Sequence, residues 1–423
     1  MTVTIEPPFL VALNLTRRCN LGCAHCYLDA GVLCSGAPGE LATDEVLALL
    51  TDIASLSNET MVVLTGGEPL LRSDLEAIAQ CATGLGLMVV VGTNGMLLHP
   101  RRVAALQVAG VRAVGISLDS LDPGYHDHFR GRPGAWQATL AGIEACRRNG
   151  LMFQIHFTVT DDNADELDDM IAFARDVGAA VLNVFFVVCT GRGRTMSNIS
   201  VGRYEAVLCR LAEAARAETA LVVRARCAPH FKRLAWELSP PLPITLADGY
   251  EAGGCLAGTR YCRITPEGDL TPCPYMELSA GSLRETPFAV LWREALLFAA
   301  LRAPVLEGRC GGCEYVKLCG GCRARPLARD GNLMGEDFLC GYRPAGGAVI
   351  DPALARGPEL AWSTEAEARL AHVPSFVRRF VRQRAETYAR ECGERIVTAT
   401  HLHALAQRRF GVTGLPINRS ARP

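Results

Sequence analysis

Six short apolar runs, each followed by a segment of helical periodicity, organise residues 10–190 of the 423-residue chain. The runs are Val11–Leu15, Met61–Thr65, Met88–Val91, Ala113–Leu118, Phe153–Val159 and Val181–Val188. They are largely continuous in apolar character, as strands buried on both faces are. Helical stretches at Glu45–Ile53, Asp74–Ala82, Arg101–Ala109, Trp136–Asn149 and Asp165–Val177 fall between them. That alternation forces parallel strands joined by helical crossovers, hence an α/β fold. Six units suit a curved, partial (β/α)6 barrel whose functional loops sit at the C-terminal strand ends.

After Thr190 the pattern changes. Tyr204–Ala217 reads as a helix, and Pro240–Pro243 is a break. Residues 251–345 are rich in Cys and Gly, so a large apolar core is not expected there and metal takes its place. Gly346–Pro358 reads as a linker, and Trp362–Phe410 is helical again, with Ala, Arg and Glu. The expected units are a barrel over 10–200, a helical linker over 201–250, a Cys-rich domain over 251–345 and a small all-α domain over 359–412.

The net charge of −1 favours neither nucleic acid nor a membrane surface. No apolar run reaches the roughly 18 residues of a membrane span, and no basic-then-apolar leader precedes the first strand. A cytoplasmic protein is expected. In such a chain the 18 Cys point to metal binding or chemistry rather than disulfides.

Cys19, Cys23 and Cys26 directly follow the first run. Three thiolates can hold three irons of a four-iron cube and leave the fourth open. An open iron is a place for chemistry, whereas a fully ligated cluster mainly moves electrons. A structural zinc site is the competing reading. Gly66-Gly67-Glu68-Pro69 follows the second run: the glycines let backbone approach a ligand closely, and proline redirects the chain. Thr93-Asn94-Gly95 and Ser117-Leu118-Asp119 end the third and fourth runs with groups suited to a ribose or carboxylate. Arg192 and Arg194, after the sixth, suit a carboxylate, and Cys189 reads as structural. His126, Asp127 and His128, in the loop after the fourth run, are rejected as a metal trio because adjacent residues rarely converge on one ion.

Farther on stand Cys255, Cys262 and Cys273, then Cys310, Cys313, Cys319 and Cys322, and finally Cys340: two sets of four. Taken alone, the C-x-x-C pairs read as zinc ribbons. The remaining cysteines, Cys34, Cys81, Cys146, Cys189, Cys209, Cys227 and Cys392, read as buried small hydrophobes.

The first motif resembles the signature of the radical S-adenosylmethionine enzymes. The resemblance implies that the cofactor's methionine chelates the free iron and that an electron from the cluster cleaves it to a 5′-deoxyadenosyl radical. It implies catalytic metal ligation by Cys19, Cys23 and Cys26. It places His25, Gly66, Gly67, Glu68, Pro69, Asn94, Ser117, Asp119, Arg130 and the backbone of Val188 at the cofactor. The later cysteines resemble the SPASM extension, which holds two auxiliary 4Fe-4S clusters. Its pattern assigns Cys255, Cys262, Cys273 and Cys322 to one and Cys310, Cys313, Cys319 and Cys340 to the other, giving three clusters in all. One departure stands out: Cys319 and Cys322 enclose two residues where the family usually has three.

Leu13–Gly193 is similar to radical enzymes of alternative heme synthesis. The tail, with Trp362, Val373-Pro374-Ser375-Phe376, Glu386, Tyr388 and Thr398, resembles the C-terminal domain of the B subunit of light-independent protochlorophyllide reductase, which acts on a tetrapyrrole. The tail's excess of Arg over Glu suits propionates, and His401 and His403 read as surface helix residues. The expectation is an oxidoreductase of heme biosynthesis that modifies a tetrapyrrole side chain, fed by a flavodoxin- or ferredoxin-like donor. A peptide-modifying maturase is the alternative, although ten residues before the first strand leave no peptide-binding winged helix to be expected. A non-catalytic iron–sulfur electron carrier is the third reading.

Overall fold

The computed structural model describes residues 5–32, 36–196, 199–246, 253–355, 360–373 and 375–410. All six expected strands form, as β1 (Leu10–Asn14), β2 (Met61–Thr65), β3 (Met88–Thr93), β4 (Ala113–Ser117), β5 (Met152–Val159) and β6 (Val181–Phe186). Each pairs in parallel with the next. Their crossovers are α1 (Thr43–Leu56), α2 (Leu75–Gly84), α3 (Pro100–Val108), α4 (Pro123–Arg130), α5 (Ala135–Asn149) and α6 (Leu167–Asp176).

Two differences from the sequence reading lie here. His126, Asp127, His128 and Arg130 were expected in a loop but form α4. Asp122 caps it by accepting the Tyr125 amide at 2.6 Å, Pro123 opens it, and Gly131 closes it at φ +67°. These punctuation signals outweigh the helix's short apolar period. The expected linker over 201–250 holds a helix, α7 (Val201–Ala217), and then a seventh parallel strand, β7 (Val222–Arg226), beside β6. As an edge strand with Arg at two of its five positions, β7 lacks the continuous apolar run that marked the others.

The other edge is built by the Cys-rich region. Strand β8 (Tyr261–Ile264) pairs in parallel with β1, from Leu10↔Tyr261 to Leu13↔Ile264. Strands β9 (Asp269–Thr271) and β10 (Gly281–Ser282) add antiparallel hairpin partners, completing a ten-stranded sheet. The expectation that this region lacks a large core is corrected. Phe288, Trp292 and Phe298 are fully buried in the same apolar cluster as Val11, Leu13, Val62, Leu64, Val46, Leu50 and Ile53. Each such side chain contributes about 2–3 kcal/mol on burial. Polar ties reinforce the junction: Arg17 pairs with Glu267 at 2.5 Å, Arg284 with Glu45 at 2.7 Å, and the Trp292 indole donates to Glu6 O at 2.9 Å.

The tail folds around Ala385, Ala389 and Val397. Its helices are Thr364–Ala371, Ser375–Glu391 and Ala399–Phe410. It is not purely helical, because Ala361–Trp362 pairs in parallel with Ile396–Val397. His401, expected on the surface, is buried: its Nδ1 accepts the Thr398 amide at 3.0 Å, and its ring meets Tyr388 edge-on. His403 is exposed. Among the described residues no helix is long and apolar enough to cross a membrane.

Candidate active site and accessory thiol sites

Beyond Asn14 the chain loops over the C-terminal ends of the strands. Backbone bonds close this loop, with the Cys19 amide donating to Gly31 O at 2.7 Å and the Gly22 amide to Arg130 O at 3.2 Å. Cys19 and Cys23 are buried and Cys26 is half-buried. The three thiols stand within one another's electrostatic field. Burial pushes Cys19 up to about 12, and the charges of Glu68, Cys23 and Cys26 act the same way. Cys23 is also raised by burial, with Arg130 opposing. Thiols in such surroundings ionise only against added positive charge, which a bound metal group supplies.

The Gly66–Pro69 segment packs under this loop. The Gly67 amide donates to Thr16 O at 2.7 Å and the Glu68 amide to Arg18 O at 2.9 Å. A Cβ on Gly66, at φ +145°, would lie 2.6 Å from Thr16 O, and one on Gly67 would lie 2.4 Å from Arg18 O. Only glycine allows this approach. Glu68 has no exposed surface. Its carboxylate accepts from the Leu70 amide at 3.1 Å, Thr93 Oγ1 at 2.8 Å and the Asn94 amide at 2.8 Å. Burial nevertheless raises it to about 7. Glu68 thus locks the ends of β2 and β3 together, and Pro69 starts a 3-10 turn behind it. Glu68→Gln turns one acceptor into a donor facing a donor. It is expected to lower stability by about 1–3 kcal/mol, read as a lower thermal midpoint. An unchanged midpoint would show that this lock does not hold the loop.

The later strand ends brace the same loop. Asn94 donates to Asn20 Oδ1 at 2.7 Å and accepts from the Met96 amide. Asp119 is fully buried, pairs with Arg130 at 2.5 Å and accepts the Thr158 amide. Arg130 in turn points Nη1 at Cys23 Sγ, 3.7 Å away. Ser117 stands half-buried at the end of β4. His25 stacks on Phe129 with ring centres 4.3 Å apart, and burial lowers it to about 4, so it is neutral. Among the described residues its buried Nδ1 has no partner, and neither does Asn14 Oδ1 at the end of β1. Both are orphaned acceptors or donors of the kind a ligand satisfies. The rejected trio divides its work: His126 Nδ1 accepts the Asp119 amide, while Asp127 accepts the Gly134 and Trp136 amides.

Arg192, expected to meet a ligand carboxylate, instead clamps the loop. Its Nε donates to Cys23 O at 3.0 Å and its Nη1 pairs with Asp29 at 3.0 Å. Arg194 pairs with Glu277 on the surface. Nothing in the sequence distinguished the two arginines, because the partners lie more than 150 residues away for one of them.

Cys310, Cys313, Cys319 and Cys340 line one cavity of about 30 Å³, beside Asp337 and Tyr342. Burial lifts Cys319 well above the ordinary thiol range, and Cys340 and Cys310 add to it. Cys255, Cys273 and Cys322 gather in a separate apolar cluster with Val188, Met276 and Tyr275. Val188, expected at the cofactor, therefore presents its side chain to this second cluster. Cys262 is not there. Residues alternate along β8, so Tyr261 faces the thiol cluster while Cys262 faces the barrel core, where it is fully buried. Cys227 packs with the thiols instead. Among the other cysteines read as buried, Cys146 is buried, Cys81 and Cys189 are half-buried, and Cys209 and Cys392 are exposed, which corrects that reading for them. Cys34 lies outside the described residues. Among the described residues no three His, Cys, Asp or Glu side chains converge closely enough to hold a single ion.

A family model described as the radical SAM superfamily matches residues 13–174. An AdoMet-dependent heme synthase of Methanosarcina barkeri is 41% identical over 351 residues, covering 81% of this chain and 99% of that one. The chain belongs to the radical SAM superfamily. An iron–sulfur cluster-binding SPASM model matches residues 255–323, and a proto-chlorophyllide reductase 57 kD subunit model matches 362–405. A pre-heme d1 synthase of Dinoroseobacter shibae is 32% identical over 352 residues, 79% of this chain and 86% of that one. Streptococcus suis SuiB shares the fold, with a TM-score of 0.63 at 17% identity over 80% of this chain and 78% of that one. Radical SAM membership makes this chain an enzyme of 4Fe-4S and S-adenosylmethionine chemistry, related to heme synthases. The residues fit that chemistry: three mutually close thiols, a glycine cradle with no room for a side chain, and orphaned polar atoms on His25 and Asn14.

Proposed function

We propose that the enzyme modifies a side chain of a heme-type tetrapyrrole, with three 4Fe-4S clusters. The observation that carries the substrate class is the similarity, over nearly the whole length of a relative, to a protein named as a heme synthase. The tail supports it independently, through its match to a subunit of an enzyme of protochlorophyllide. Cys19, Cys23 and Cys26 hold the reactive cluster, and the Gly66–Pro69 segment receives the cofactor's methionyl end. A cluster bound there would supply the electron for reductive cleavage of S-adenosylmethionine.

The chain's own residues do the rest. Arg130, anchored by Asp119, sets positive charge against the Cys23 sulfur. Arg192 fixes the carbonyl of the same residue, so the loop keeps its shape. Neutral His25, held flat on Phe129, presents a buried ring nitrogen to be satisfied by the bound cofactor. The two accessory sets would hold fully ligated clusters able to take up a second electron, and a flavodoxin- or ferredoxin-like protein would supply the first.

The test uses the full, anaerobically reconstituted chain with a propionate-bearing iron porphyrin. Addition is expected to shift the porphyrin absorption band and to raise 5′-deoxyadenosine formation at least about tenfold, or ~1.4 kcal/mol, with a changed porphyrin mass. Cofactor cleavage without any porphyrin response would overturn the substrate class and favour a peptide.

A further inference from the structure

We infer that Cys227, and not Cys262, completes the four-thiol site formed with Cys255, Cys273 and Cys322. The inference rests on the reading that this region holds an auxiliary four-iron cluster, and it departs from the cysteine spacing that would choose Cys262.

Three observations carry it. The first is placement. Cys227 packs in the same cluster as Cys255, Cys273 and Cys322, together with Tyr261 and Tyr275. The charges at Cys273 that matter include those of Cys255, Cys322 and Cys227, while no cysteine acts on Cys262, whose only charged neighbour of note is Arg302. Strand alternation keeps it that way, because turning Cys262 inward would turn Tyr261 and Arg263 outward along β8. Arg263 is bound to Thr271 and Pro274 O on its own side, at 3.0 Å each.

The second is backbone conformation. Cys227 sits just beyond β7 at φ +56°, and among the described residues only Asp29 shares positive φ without being glycine. A residue with a Cβ is held there only when its surroundings over-determine it, and such outliers gather at functional sites. Asp29 is itself in the loop that carries Cys19, Cys23 and Cys26, where its amide donates to Cys26 O and its carboxylate accepts from Arg192.

The third is the bracing. Arg325, fully buried, donates through Nη2 to Cys227 O and through Nη1 to Asp337 at 2.8 Å. Asp337 accepts the Cys322 amide at 2.8 Å. One arginine–aspartate pair therefore positions the Cys227 and Cys322 backbones relative to each other. Tyr275 packs in the same cluster as Cys227.

The test isolates the accessory sites in the full chain by replacing Cys19, Cys23 and Cys26 with alanine. This parent is expected to take up about eight irons, four per cluster, all with thiolate ligands. Cys227→Ala, Cys255→Ala and Cys262→Ala are added singly. After mild ferricyanide oxidation, the Cys227 and Cys255 variants are expected to shed iron and give the paramagnetic signal of a three-iron cluster, rising from near zero to about one spin per chain. Parent and Cys262→Ala give none. Circular dichroism confirms that each variant is folded. Full iron and no signal in Cys227→Ala, or equal losses in the Cys227 and Cys262 variants, would overturn the inference. So would a parent of about four irons in which Cys255→Ala neither sheds iron nor gives the signal, because this site would then hold no cluster. Failure of the broader reading looks different: the parent binds zinc and no iron at all.

Discussion

Cys23→Ala is expected to reduce reductive cleavage of S-adenosylmethionine by about a thousandfold or more, equivalent to ~4 kcal/mol. Cys23 is the thiol around which the site is organised. Arg130 reaches its sulfur, Arg192 holds its carbonyl, and it is largely buried. Removing it leaves two thiolates for a cube, and it strands the Arg130 charge against Asp119 alone. The measurement is 5′-deoxyadenosine released by the dithionite-reduced, reconstituted protein. Cleavage within threefold of wild type would mean that the loop's cysteines do not carry the reactive cluster.

Gly66→Ala is expected to be nearly as damaging without touching a ligand. The new methyl meets Thr16 O at 2.6 Å, and that oxygen belongs to backbone that cannot rotate aside. The residue's φ of +145° is also closed to alanine. Overpacking of this kind typically costs about 1–3 kcal/mol, and the strained backbone adds about as much again. Because Thr16 O also accepts the Gly67 amide, relief pushes the cradle away from the cysteine loop. Affinity for S-adenosylmethionine, measured by equilibrium binding, is expected to fall about a hundredfold, or ~2.7 kcal/mol. A change below twofold would show that the cradle does not contact the cofactor.

The barrel was legible because strands such as β1, β3 and β4 read as nearly unbroken apolar runs, and because β5, though alternating, keeps a buried apolar face. Strand β7 was not, since an edge strand needs no such run. Helix α4 was missed for a different reason: eight residues are too few for a period to show, and its signal was Asp122-Pro123 at one end and Gly131 at the other. The reactive loop was legible as a spacing because Cys19, Cys23 and Cys26 are neighbours in sequence. What holds them was not, because Asp119, Arg130 and Arg192 reach them only through the fold. Cys227 shows the limit most sharply. It has no nearby cysteine to make a pattern, whereas Cys262 matched a pattern and was then turned away by strand alternation.

The parallel register of β1 with β8 bears on how electrons would pass between the proposed clusters. Electron tunnelling weakens steeply with separation, so a gap that breathes would make transfer erratic. Here the strand that launches the reactive loop is laddered directly to a strand of the accessory region, with Arg17–Glu267 riveting the junction. Clusters held at the two proposed sites would be mounted on one chassis, and the interval between them would be set by peptide geometry rather than by the chance closure of a hinge.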